Sequence, residues 1–319
     1  MSRAETVLVT GAAGFIGSTL VDALVAEGRE VVGLDSFHSF YAESEKLRNL
    51  EEASKSPCFR LVRGDIRSAD LIRDLLMETR FDCIVHLAAL AGVRPSLERP
   101  SAYADVNVNG TSTLLEAAVR IGGPRFVFAS SSSVYGERQS GPFLETDRVD
   151  HPISPYAATK KSAELVCHSF HSAHGLDVTC IRFFTAYGPR QRPDLAIRRF
   201  AERMLRGDSI PIYGDGSAVR DLTYVADIVD GLVRAVDTSL GYAVLNFGAG
   251  RAISVLEMVG QLEHALGVKA EKDFQAPQVG DVSRTLADIT AAQNALGYQP
   301  HVSFEQGIES FVAWLGERR

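Results

Sequence analysis

Cysteine is scarce in this sequence. There are four in 319 residues (Cys58, Cys83, Cys167 and Cys180), and none stands in a Cys-x-x-Cys pair. That excludes a disulfide-stapled scaffold and points to idle thiols in a reducing compartment. No run approaches the roughly eighteen apolar residues a membrane span requires, so none is expected. The opening Met1-Ser2-Arg3-Ala4-Glu5 has neither the length nor the cleavage pattern of a signal peptide, and a cytoplasmic protein is expected. Basic charge is also short: 33 Lys and Arg stand against 40 Asp and Glu, a net charge of -7. That balance argues against nucleic acid as a partner, although local arginines can still receive a phosphorylated small molecule. His168, His171 and His174 recur every third residue. The pattern reads as a solvated helix end rather than a metal face, and no metal is expected.

What the sequence does have is 45% hydrophobic residues, enough for one large core or two smaller ones. In the first half, short apolar runs alternate with amphipathic stretches. Thr6–Val9, Glu30–Leu34, Phe59–Val62, Cys83–Leu87 and Phe126–Ala129 read as strands covered on both faces, and Phe15–Glu27 and Ala69–Met77 as helices. Strand–helix–strand repetition predicts a parallel, doubly wound α/β sheet of the Rossmann kind. After about Phe183 the rhythm breaks into shorter elements punctuated by glycine. The expected organisation is a dinucleotide-binding domain over 1–182, with 224–248 returning to its sheet, and a smaller substrate lobe over 183–319.

Gly11-Ala-Ala-Gly14-Phe15-Ile16-Gly17 follows the first strand and opens the first helix. Small residues there allow a tight turn and close approach of a pyrophosphate to the helix N-terminus. Asp35 ends the second strand, about twenty residues on, where a carboxylate accepts both ribose hydroxyls and repels a 2′-phosphate. NAD is therefore expected rather than NADP. Asp65 and Ile66, after strand three, are placed to meet the adenine. Leu87, Ala88 and Ala89 end strand four, where small residues let the backbone close on the cofactor. His86 reads as strand packing.

Tyr156-Ala-Ala-Thr-Lys160 puts a phenol and an ammonium on one helix face. A free phenol titrates near ~10. The lysine and a positive nicotinamide are expected to lower that value toward a working base. Upstream, Phe128-Ala-Ser130-Ser131-Ser132-Ser133-Val134-Tyr135-Gly136 closes strand five with hydroxyls suited to an alcohol substrate.

With Phe183-Phe184-Thr185-Ala186-Tyr187-Gly188-Pro189-Arg190, these motifs resemble the extended short-chain dehydrogenase/reductases over nearly the whole chain. The resemblance implies that Tyr156 is the acid/base, Lys160 its tuning partner and Ser131 the hydroxyl that orients the substrate alcohol. It adds Asn107, Ser130 and Phe183 to the cofactor contacts. Within the family, Asp35-Ser-Phe-His-Ser-Phe-Tyr41, Ala89-Leu-Ala-Gly-Val-Arg94-Pro-Ser, Tyr156–Lys161 and Gly188-Pro-Arg-Gln-Arg192-Pro-Asp-Leu-Ala are closer still to the UDP-glucuronic acid 4-epimerases. That likeness implies a UDP-sugar substrate and a homodimer formed through helices near 100–121 and 154–174. Thr185, Ser132 and Ser133 would donate to a C5 carboxylate, with Arg192 the nearby cation. These fixed donors would keep the β-keto acid intermediate from losing CO2. Arg94 joins the substrate contacts, Tyr213 lies beside uracil, and Arg220 takes the diphosphate. Gln278 and Asp281 fall at phosphate and ribose, with Arg284 a substitute where the family's arginine is replaced by Gln278.

Dehydratases of the family carry Asp-Glu before Val-Tyr-Gly, and the decarboxylases carry a Glu there. This chain has Ser132-Ser133. Elimination then lacks its proton shuttle, whereas 4-epimerisation needs none. The alternatives left open are a UDP-glucose/UDP-galactose 4-epimerase or one accepting both sugars, a UDP-glucuronate decarboxylase, a dehydratase, and an NAD-binding sensor or scaffold without turnover.

Overall fold

The computed structural model describes residues 5–138, 140–277 and 282–318. In chain order the elements are β1 (Thr6–Thr10), α1 (Phe15–Ala26), β2 (Glu30–Asp35), α2 (Glu43–Asn49), β3 (Phe59–Arg63), α3 (Ala69–Glu78), β4 (Cys83–His86), α4 (Val93–Glu98), α5 (Pro100–Ala104), α6 (Gly110–Arg120), β5 (Arg125–Ser131), α7 (Pro155–His174) and β6 (Val178–Phe183). There follow β7 (Thr185–Tyr187), α8 (Ala196–Arg206), β8 (Ile210–Tyr213), β9 (Val219–Tyr224), α9 (Val225–Asp237), β10 (Tyr242–Phe247), β11 (Ala252–Ser254), α10 (Val255–Leu266), β12 (Lys272–Gln275), α11 (Thr290–Leu296) and α12 (Phe304–Gly316). Short 3-10 turns and a π turn at Asp105–Asn109 complete the chain's regular structure.

Seven strands form one parallel sheet in the order β10-β6-β5-β4-β1-β2-β3. The apolar runs make this possible, since β1 and β4 carry Val7, Leu8, Val9, Cys83, Ile84 and Val85 at 0% exposure, covered on both faces. One face packs under α1, α9 and α11 through Leu20, Leu24, Ile228, Leu232 and Ala292. The other packs under α3, α6 and α7 through Ile72, Leu75, Leu114, Leu115 and Ala163. Strand order reverses between β1 and β4, and the crevice beyond their C-terminal ends is where a doubly wound sheet binds ligands.

A separate core joins α8, β8, β9, α10 and α12 through Phe200, Ile212, Leu222, Met258 and Phe311. Two small sheets, β11-β9-β7 and β12-β8, edge it. One departure from the sequence reading concerns α11, expected in the second lobe. Ala292, Leu296 and Tyr298 are buried in the core of the first sheet, and Tyr298 stacks on Phe247 of β10 at 4.5 Å. The glycine-punctuated sequence gave no hint of this return, because the segment's apolar face is only a few residues wide. The His168–His174 stretch packs sideways, with His168 edge-on to Tyr242 at 4.8 Å and His171 Nδ1 against the Leu176 carbonyl at 2.9 Å.

Candidate active site

A cleft of about 1020 Å³ opens at the C-terminal ends of β1, β2, β4 and β5 and extends to β8 and β9. It lies at the upper end of the roughly 300–1,000 Å³ usual for ligand pockets, so it suits an extended ligand or two ligands end to end.

Gly11, Gly14, Phe15, Ile16 and Gly17 line one end. Gly11 has φ +70°, and a Cβ there would meet the Ala88 amide nitrogen at 2.8 Å. Gly17 lies so close to the Gly11 carbonyl that any side chain would collide with it. No side chain caps α1 at Gly14, which leaves the first-turn amides to an incoming anion. Asp35, 8% exposed, closes the same end. Its carboxylate accepts from the amides of Ala13 at 3.0 Å and Phe37 at 2.7 Å, with Lys46 Nζ 4.0 Å away. Two lone-pair directions per oxygen still leave it able to accept ribose hydroxyls. Asp65, Ile66, Leu87, Ala88, Ala89 and Phe183 also line the cleft. This set fits a dinucleotide: a cradle that a Cβ would fill, an open helix N-terminus and a carboxylate at the end of β2.

Two expected cofactor contacts bond to the protein instead. Asn107 does not line the cleft. It is 2% exposed, accepts from the Leu90 amide at 2.8 Å, and donates to the Leu90 carbonyl at 3.0 Å and Thr159 Oγ1 at 3.1 Å. It braces the loop behind the wall. Ser130 borders the cleft, but its hydroxyl donates away from it, to buried Glu164 at 2.6 Å. Neighbours on a strand point to opposite faces, so the Ser130 and Ser131 hydroxyls take different partners.

Ser131, Tyr156 and Lys160 meet in the middle of the cleft. Ser131 Oγ accepts from the Ser133 amide and donates to Ser133 Oγ, each at 3.2 Å, capping the turn that follows β5. Helix α7 starts at a Ser154 cap with Pro155 in its first turn, which fixes Tyr156 at the mouth and Lys160 one turn deeper. Tyr156 packs edge-on to Tyr103 at 6.2 Å. Burial raises its phenol above the ordinary value, while Ser131 and Arg192 pull it back down. The Lys160 ammonium donates to the Ala129 carbonyl at 2.7 Å rather than to the phenol. Burial pushes Lys160 down to about 8, opposed by Cys167 and Glu164. His86 sits between Thr10 and Thr111 at 2.7 and 3.0 Å, and burial pushes it down to about 3, so it is neutral packing.

Ser132, Ser133, Thr185 and Arg192 line the far side. Arg192 lies 5.0 Å over the Phe40 ring and donates to both Asp194 oxygens at 2.9 and 2.7 Å. Arg94 of α4 reaches across to stack on Tyr213 at 4.9 Å, joining the two lobes over the cleft. Arg220, on β9, lines the same end and donates to the Val219 carbonyl at 3.0 Å. Gln278 and Asp281 lie outside the described residues. Arg284, offered as a substitute for Gln278, does not line the cleft. Its backbone pairs with Val219 while neighbouring Ser283 borders the opening.

The sequence reading missed His38, Tyr41, Lys46 and Asp194, all of which line the cleft. Tyr41 Oη and His38 Nδ1 are buried without a hydrogen-bond partner, a state that invites a ligand. The available signal is the aromatic run Phe37-His38-Ser39-Phe40-Tyr41 that begins two residues after Asp35.

A family model described as GDP-mannose 4,6 dehydratase matches residues 8–311. The chain belongs to this family of extended short-chain dehydrogenase/reductases. It is 40% identical over 97% of its length to a UDP-glucuronate 4-epimerase of Thermodesulfobacterium geofontis, of which it covers 96%. Its fold matches the UDP-glucuronic acid 4-epimerase of Bacillus cereus in complex with UDP-glucuronic acid and NAD. The TM-score is 0.93 at 37% identity, over 98% of this chain and 100% of the other. It also matches a dTDP-glucose 4,6-dehydratase of Streptomyces venezuelae, with a TM-score of 0.91 at 36% identity, over 98% of each chain. Backbone shape is thus shared across reactions in this family, and the side chains of the cleft must separate them.

Proposed function

We propose that this chain is an NAD-dependent UDP-sugar 4-epimerase acting on UDP-glucuronic acid to give UDP-galacturonic acid. The observation that carries the reading is the cleft itself. It joins a dinucleotide cradle to Ser131, Tyr156 and Lys160, and surrounds these with Ser132, Ser133, Thr185 and Arg192. No carboxylate stands at 132 or 133, where a dehydratase or decarboxylase of the family would carry its acid or base. Asp194 is held by Arg192, and Glu137 is an exposed residue on the cleft's border.

What NAD supplies when bound is acceptance and return of hydride at one carbon. The remaining work falls to the protein. Tyr156 takes the C4 hydroxyl proton and gives it back to the ketone oxygen, while Ser131 donates to that oxygen and orients it. Lys160, buried one helical turn from Tyr156 and donating to the Ala129 carbonyl, would favour the phenolate once its ammonium turns toward the phenol oxygen. The Ser132, Ser133 and Thr185 hydroxyls hold the C5 carboxylate while the ketone turns over, with Arg192 as its cation. Arg94, Tyr213 and Arg220 hold the nucleotide, and Asp35, Asp65, Ile66 and the glycine turn hold the dinucleotide. Functionally, 1–182 with 224–248 form the NAD-binding domain and also present Arg94, Ser131, Ser132, Ser133 and Tyr156 to the substrate, while the rest of the chain forms the UDP-sugar lobe. The reading includes a homodimer through α6 and α7, supported by Leu165, 59% exposed on α7. It also includes a cytoplasmic location, supported by four free cysteines.

The second reading is a UDP-glucose/UDP-galactose 4-epimerase, favoured by the engagement of Arg192 with Asp194, which neutralises the proposed cation. Purified protein incubated side by side with UDP-glucuronic acid and with UDP-glucose, without added NAD, is expected to yield a second hexuronate from the UDP-glucuronic acid on chromatography. Turnover of UDP-glucose alone would favour the second reading. Solvent deuterium appearing at C4 would overturn both.

A further inference from the structure

Behind the serines lies a buried ionic network for which the proposed chemistry has no direct use. Glu164 stands four residues after Lys160 and eight after Tyr156 on α7, so the three share one helix face. It is 1% exposed. One carboxylate oxygen accepts from Ser130 Oγ at 2.6 Å and Arg182 Nε at 2.9 Å. The other accepts from Arg182 Nη2 at 2.9 Å and Lys161 Nζ at 3.3 Å. Arg182, on β6 in register with Ser130, lies 4.8 Å over the Tyr135 ring and donates to the Glu145 carbonyl at 3.3 Å. The Tyr135 hydroxyl donates to Asn246 of β10 at 2.7 Å. One carboxylate thereby ties the end of β5, the Val134-Tyr135-Gly136 turn, β6 and α7 together, immediately behind the residues that would touch the sugar.

A buried ion pair is a poor way to gain stability, since hydrophobic residues of similar volume often serve as well. A carboxylate does two things a leucine cannot. It holds the Ser130 hydroxyl, which sets the path of the backbone into Ser131, and it places negative charge one turn from Lys160. We propose that Glu164, with Arg182, is a positioning residue for the Ser131–Tyr156–Lys160 constellation and keeps the Lys160 ammonium charged. The proposal rests on the 4-epimerase reading.

The groups that face Lys160 are Glu164 and Cys167 from its own helix and His86 from β4, which is neutral. Arg182 and Cys180 of β6 face Glu164 rather than the lysine. Burial pulls Lys160 down, and Cys167 and then Glu164 pull it up. Removing that carboxylate lowers the pH at which the ammonium is lost.

The test begins with wild-type turnover of UDP-glucuronic acid and UDP-glucose, whose absence would sink the functional reading rather than this one. Glu164→Gln keeps an acceptor for Ser130 and deletes the charge. Its alkaline limb in kcat is expected to move to lower pH, with kcat down about tenfold and KM little changed. The double replacement Glu164→Leu/Arg182→Met removes the stranded guanidinium as well. It should regain the wild-type melting temperature while kcat stays low and the limb stays displaced. A double variant that recovers both kcat and the limb, or a Glu164→Gln enzyme with an unmoved limb, overturns the proposal by reducing the pair to packing. If neither variant folds, Ser130→Ala decides, because it leaves the ion pair intact. A severalfold loss of kcat at unchanged melting temperature supports the proposal, and unchanged kcat overturns it.

Discussion

Lys160 is 3% exposed and spends its ammonium on one carbonyl, that of Ala129. Its ordinary value near 10.5 is pushed down to about 8 by burial. The folded state therefore disfavours the charged form. That penalty is present in full below about pH 8 and fades as pH rises toward 10.5, where the unfolded lysine also loses its proton. Lys160→Met should accordingly melt higher than wild type at pH 7. The gain is about 1–3 kcal/mol once the lost Ala129 bond is set against the relieved desolvation. The gap should narrow as pH rises from 8 to 10.5, while turnover is lost at every pH. A variant less stable than wild type at pH 7 would show that the ammonium is better satisfied than its single hydrogen bond implies. At this scale most of the site residues named from the sequence line the cleft, because each belongs to a motif whose spacing is tied to a strand end or a helix turn. The sequence reading did not foresee that the Asn107 and Ser130 side chains bond to the protein, at Leu90, Thr159 and Glu164, because sequence order gives no account of which way a side chain points.

At the scale of elements, the glycine turn and α1 show how tightly a cofactor cradle is built. Gly17 packs against the Gly11 carbonyl, and Gly11 against the backbone of Ala88 at the end of β4. A single methyl at 17 must push the first helix away from the turn. Gly17→Ala is expected to cost about 1–3 kcal/mol in stability through overpacking. It should also strip NAD from the purified protein, read as a fall in the 260/280 nm absorbance ratio and in nucleotide released by denaturation. Retained nucleotide would mean that the cradle tolerates more space than its contacts show. The first-sheet strands were legible because they are apolar on both faces and bounded by turns, and strand Thr6–Thr10 ends within one residue of expectation. The short helices α2, α4 and α11 were not, because at six or seven residues an apolar stripe has too little length to show a period.

At the scale of the molecule, the lobes are clasped at the back of the cleft. Arg198 of α8, 6% exposed, donates to both Glu45 oxygens of α2 at 2.8 and 2.9 Å. Arg190 pairs with Asp22 of α1 at 2.7 Å, and Arg318 approaches Glu45 at 3.6 Å. Arg198 holds the Glu45 carboxyl below its ordinary range. The clasp therefore contributes fully above that ordinary range and is lost as pH falls through the lowered value. Arg198→Met should cost about 2 kcal/mol at pH 7, with the difference from wild type shrinking below pH 4. It should also speed protease cleavage in residues 36–46, the segment that carries Lys46 and Tyr41 into the cleft. Equal cleavage rates would show that the segment is held without the clasp.

The linear order of residues determined the parallel sheet, the site of the dinucleotide and the identity of the tyrosine–lysine helix. These depend on periods and spacings that act within a few turns of chain, where backbone geometry translates sequence directly into position. Only the tertiary structure decided which serine faces the ligand, that Lys160 turns to Ala129, that Arg192 is shared with Asp194, and that α11 rejoins the first core. Those outcomes depend on competition among partners far apart in sequence, settled by burial and by which polar groups can satisfy one another once the strands are side by side.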